Sequence, residues 1–63
     1  MLSKNLKKYR EKKGYSKLRL SRDSGVSARC IEFIEYEKIK YPRLSTLEKL
    51  AKTLNVTVEE LIK

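Results

Sequence analysis

The chain has 63 residues, 40% hydrophobic and 38% charged, with sixteen Lys and Arg against eight Asp and Glu and a formal charge of +8. That length excludes a β/α barrel or a complete dinucleotide-binding enzyme. The lack of histidine removes zinc fingers and histidine catalysis.

Other absences narrow the class further. No run of ~18 apolar residues is present, so no membrane span is expected. The first five residues, Met1 to Asn5, lack the apolar stretch of a signal peptide. Cys30 is the one cysteine and has no internal disulfide partner, which fits a reducing, cytoplasmic setting. A core this small yields a few kcal/mol, so helix caps and a dimer contact are expected to matter.

The elements follow in chain order. Leu2, Leu6 and Tyr9 fall at i, i+4, i+7 on one helical face, and Gly14 can close that helix in a left-handed conformation. Ser16 offers an N-cap for a short helix holding Leu20, interrupted at Gly25. Ser27 caps a third helix in which Ile31 and Ile34 repeat at i, i+3. A basic loop over residues 38–43 ends near Pro42. Ser45 with Glu48 spells a capping box ahead of Leu47, Leu50, Ala51 and Leu54, and Thr57 with Glu60 spells a second, flanked by Val56 and Leu61 at the spacing of a hydrophobic staple. The expected fold is all-α: one domain over residues 1–63, with five short helices and no strands. None is long enough to stand alone, so each must pack on the others.

The charge is unevenly placed. Residues 1–31 carry ten basic residues and two acids, Glu11 and Asp23, whereas residues 32–63 carry six of each sign. Such a field concentrates polyanions and speeds encounter with them. Nucleic acid is the favoured partner over an anionic membrane, because the basic stretch is tied into a compact fold. A solvated surface that only confers solubility is the competing reading.

The stretch Lys17 to Tyr36, KLRLSRDSGVSARCIEFIEY, carries the function. It is two helices of about two turns joined at a glycine. A helix-turn-helix needs a small residue where the helices cross, and Ser21 supplies it. It also needs a turn tolerant of positive φ, which Gly25 supplies. Leu20, Val26, Ile31 and Ile34 lock the pair to the rest of the chain.

With the segments NLKKYREKKGYS, SGVS, IEFIE and LSTLEKLAKTLNVTVEELI, the chain resembles the phage-repressor and Cro-like helix-turn-helix family, also called the xenobiotic-response-element family. The resemblance runs over about residues 5–62. It implies a compact five-helix, lambda-repressor-like domain in a bacterial or phage-encoded protein, whose third helix enters the DNA major groove. Three positions depart from the family: Lys17 stands where glutamine is usual, Cys30 where serine or threonine is usual, and Glu37 where a glycine often follows the recognition helix.

With Ser27 as cap, Ile31 and Ile34 point inward, while Ala28, Arg29, Glu32, Phe33 and Tyr36 form the outward face. Arg29 is the leading candidate for base readout, through a guanidinium bidentate to guanine O6 and N7. Its competing role is a surface ion pair with Glu32 or stacking on Phe33. Ala28 and Phe33 are placed for thymine methyls, and Glu32 for cytosine N4 or for simple pairing; a core position is the alternative for Phe33. Phosphate contacts are expected from Ser16 and Ser27 at their helix N-termini, and from Lys17, Tyr36, Lys38, Lys40 and Arg43. The resemblance also implies a structural ion pair between Arg10 and Glu35, partly exposed and worth about 1 kcal/mol. Cys30 reads as packing, with a redox role as the alternative.

No nucleophile–base or metal-ligand constellation can be assembled, so neither an enzyme, a cofactor, a metal nor a small-molecule ligand is expected. The expected function is a sequence-specific regulator of transcription, a repressor, binding double-stranded DNA as a homodimer. The alternative is a protein-interaction module that keeps the fold and uses Phe33, Tyr36 and Tyr41.

Overall fold

The computed structural model describes residues 1–63. It contains five helices, α1 (Leu2–Lys12), α2 (Lys17–Ser24), α3 (Ala28–Glu35), α4 (Leu44–Leu54) and α5 (Val58–Ile62), and no strand. Helix α1 packs on α3 and α5, α2 on α3 and α4, and α4 on α5. One apolar core joins all five. Leu6, Leu20, Ile31, Ile34, Leu50 and Leu61 are fully buried in it, with Val26, Ala51 and Leu54 beside them. Ile31 and Ile34 in α3 are three residues apart and Leu50 and Leu54 in α4 four, which is the helical period.

Local chemistry sets where the helices begin. The Ser16 hydroxyl accepts from the Arg19 N–H at 3.0 Å and starts α2, and the Ser27 hydroxyl accepts from the Cys30 N–H at 3.1 Å and starts α3. Thr57 and Glu60 bond reciprocally, at 3.0 and 2.9 Å, as the capping box of α5. Val56 packs at the edge of the core that holds Leu61, as a staple requires.

The capping box expected at Ser45 and Glu48 does not form. Helix α4 starts two residues earlier than that box requires, at Leu44, with Arg43 as its N-cap and no side-chain cap bond. Ser45 is therefore already helical. The earlier start lets the Arg43 carbonyl accept from the Leu47 N–H at 3.1 Å, and it leaves the apolar face of Leu47, Leu50, Ala51 and Leu54 in place. A cap is worth about 1 kcal/mol, too little to displace a boundary set by that ladder and by the chain leaving Pro42.

Three helices end on the same device, a left-handed residue that returns two N–H groups to the last turn. After α1, Gly14 (φ 75°) donates to the Glu11 carbonyl at 2.9 Å and Tyr15 to that of Arg10 at 3.0 Å. After α4, Asn55 (φ 59°) and Val56 repeat the pattern onto Lys52 and Ala51. After α3, the left-handed residue is Glu37 (φ 62°), with Glu37 bonded to Ile34 and Lys38 to Phe33. Gly25 (φ 79°) turns the chain between α2 and α3. A methyl group there would meet nothing within 4 Å, so the backbone twist, not lack of room, demands glycine.

Two ties close the fold across its length. Asn5 Nδ2 donates to the carbonyls of Glu60 at 3.2 Å and Leu61 at 2.9 Å. Arg10 reaches from α1 to the end of α3. Its Nε lies 2.8 Å from Glu35 Oε2, its Nη2 3.1 Å from Oε1, and its Nη1 donates to the Tyr15 carbonyl at 2.8 Å. The side chains are 9% and 3% exposed, so the pair is buried, not partly exposed. Its hydrogen bonds to Glu35 raise the arginine pKa further, against the opposing cost of burial.

Candidate nucleic-acid interface

Helix α3 shows two distinct sides. Ile31 and Ile34 are fully buried, with Cys30 half-buried against the core. On the other side Arg29 and Tyr36 are exposed, and Ala28, Glu32 and Phe33 are half-buried. Phe33 lies outside the core cluster, so its ring belongs to the outward face. Arg29 makes no ion pair, and its five N–H donors are open to an incoming acceptor.

Glu32 is engaged by Lys17, not by Arg29. The Lys17 ammonium lies 3.4 Å from Glu32 Oε2 and donates to the Tyr36 hydroxyl at 3.1 Å. It also sits 4.6 Å from the centroid of the Tyr36 ring. The hydrogen bond to Tyr36, ahead of the Glu32 charge, raises the Lys17 pKa above its ordinary value, against the cost of partial desolvation. The start of α2 is thereby clamped to the outward face of α3. Residues 17 and 32 are joined by no local spacing rule, so this clamp is not legible in the sequence alone.

Around this face lie the two serine-capped N-termini of α2 and α3. Their caps leave further N–H groups of the first turn without intrahelical partners, and these attract anions. The loop after α3 is pinned by Ile39, which packs against the core. Its neighbours Lys38 and Lys40 are exposed, as is Arg43, and none of the three has an acidic partner. Two short helices joined at a left-handed glycine, with the second turned outward in a basic surround, define a helix-turn-helix domain.

Comparison with known proteins agrees. The model of the Cro/C1-type HTH DNA-binding domain matches residues 5–63, and the chain belongs to that family. It is 34% identical over 62 residues to the HTH-type transcriptional regulator SinR of Bacillus subtilis (strain 168), covering 98% of this chain and 56% of that protein. The chain thus spans about half the length of that relative. A crystal structure of SinR, described as the master regulator for biofilm formation, in complex with DNA superposes with a TM-score of 0.96 at 33% identity and full coverage of both chains. The SinR protein/SinI protein complex superposes with a TM-score of 0.95, covering all of this chain and 61% of that one. No helix is long and apolar enough to cross a membrane.

Proposed function

We propose that residues 1–63 act as a DNA-reading unit of a transcriptional regulator, a repressor that works in the cytoplasm without enzymatic chemistry. The observation that carries this reading is the open guanidinium of Arg29 on an outward α3 face, flanked by two capped helix N-termini and three unpaired cations. Arg29 reads a guanine edge from the major groove. Ala28 and Phe33 contact thymine methyls, and Glu32 accepts from a base amino group. Ser16, Ser27, Lys38, Lys40 and Arg43 hold phosphates and set the register, with Lys17 and the Tyr36 hydroxyl at the edge of that set.

The unit is 22 Å in its longest dimension, less than the roughly 34–36 Å of one duplex turn. Two copies, one on each half-site, therefore suit an operator of two half-sites, and a homodimer on DNA is part of the proposal.

The test is binding to a randomised duplex pool and to the enriched sequence at several salt concentrations. Neutralising about six phosphates gives a slope of log affinity on log salt near −5. Lys38→Ala or Lys40→Ala should weaken all sequences alike and shallow that slope by roughly one. A slope near zero would refute DNA binding. Tyr36 and Tyr41, 60% and 93% exposed, favour a second reading as a protein-binding face, and that flat slope is the outcome this reading requires.

A further inference from the structure

The Lys17 clamp bears on which base pair is selected. A carboxylate on a DNA-facing helix meets repulsion from phosphates and, left free, swings away from the bases. Glu32 is spared both by Lys17, whose ammonium sits against Oε2 at 3.4 Å. The Tyr36 hydroxyl takes a second ammonium N–H at 3.1 Å and its ring lies against the cation. Of three N–H donors on a lysine, two are therefore directed at α3 and away from solvent phosphate. Glu32 Oε1 is left with no protein partner and stands on the same helical row as Ala28.

From this arrangement we infer that Lys17 is a positioning residue for base selection. It holds the Glu32 carboxylate so that Oε1 accepts from the exocyclic amino group of a cytosine, with the Tyr36 hydroxyl taking a second N–H of the same ammonium. The inference rests on the DNA-reading function proposed above. It separates Lys17 from Lys38 and Lys40, whose ammonium groups are committed to nothing. Phosphate affinity is thereby a minor part of what Lys17 contributes.

Selection from a randomised duplex pool tests it, comparing the wild-type chain with Lys17→Ala, Lys17→Arg and Glu32→Ala. The wild type should enrich a motif containing one cytosine column that Glu32→Ala, which removes the acceptor oxygen, loses. Lys17→Ala should cut cytosine enrichment in that same column about tenfold, leave the columns set by other residues intact, and change the salt slope by less than one. Lys17→Arg, which keeps a donor on the carboxylate, should restore the column. Melting of each variant by circular dichroism verifies that it is folded. A Lys17→Ala motif identical to wild type, with uniformly weaker binding and a slope shallower by about one, makes Lys17 a phosphate contact and overturns the inference. So does a Glu32→Ala motif with no altered column. A wild-type chain that enriches no motif removes the DNA-reading proposal itself.

Discussion

Glu37 carries a backbone conformation for which its side chain is ill suited. A left-handed residue with a Cβ costs roughly 1–2 kcal/mol relative to glycine, and Glu37 holds φ 62° because the end of α3 needs that turn. Glu37→Gly should raise stability by about 1 kcal/mol, a rise in melting temperature of about 4–8 °C for a domain of this size. An unchanged or lower melting temperature would show that the glutamate supplies a compensating interaction. Arg29 is the opposite case, an exposed side chain with nothing in the fold depending on it. Arg29→Ala should leave melting unchanged, cost about 1–3 kcal/mol of affinity at the selected site and relax preference at one base pair. Unaltered preference in the folded variant removes Arg29 from base readout.

At the scale of helices, the bond between α1 and α3 is the one whose loss should be felt most. Arg10→Ala leaves the Glu35 carboxylate, 3% exposed, without its counter-charge, a loss of about 3–5 kcal/mol. That approaches the whole stability of so small a domain. Urea unfolding should show Arg10→Ala far weaker than wild type, while Arg10→Met with Glu35→Leu loses less than either single change. A double-mutant cycle without coupling would refute the pairing. The arginine pKa is raised, so its contribution is complete below the ordinary arginine value and is lost only in strong alkali. Between pH 5 and 9 the arginine half of the pair adds no pH dependence.

The helices were legible because each announces itself locally. Ser16, Ser27 and Thr57 are cap residues placed before an apolar repeat, and Ile31 with Ile34 gives the inward side of α3. The start of α4 is not legible in the same way, because Ser45 and Glu48 keep the cap spacing although Ser45 is the second residue of the helix. Neither the burial of Arg10 with Glu35 nor the Lys17 clamp could be read, since both depend on the angle at which one helix crosses another.

For the molecule as a whole, the basic excess of residues 1–31 is divided by the fold into separate tasks. Arg10 is internal, and Lys13 Nζ donates to the Thr53 carbonyl near the end of α4 at 3.0 Å. Lys17 serves the α3 face and Arg19 pairs with Asp23 at 3.5 Å. Net charge therefore overstates the number of cations free to meet phosphate. This is why a salt slope near −5, and not one set by all sixteen basic residues, is the value expected.

The bonds from Asn5 to Glu60 and Leu61 span 55 and 56 positions of sequence, whereas α2, α3 and their turn are neighbours along the chain. Contacts between distant segments form only after the intervening chain has given up its loop entropy, so the meeting of α1 with α5 belongs to the native side of the folding barrier. A mutation there should act on the lifetime of the folded state and not on the speed of reaching it. In stopped-flow denaturant jumps, Asn5→Ala should accelerate unfolding by nearly the full factor of its equilibrium destabilisation and leave the refolding limb superimposed on wild type. A refolding limb slowed in proportion to lost stability would instead place the closure of α1 on α5 inside the nucleus.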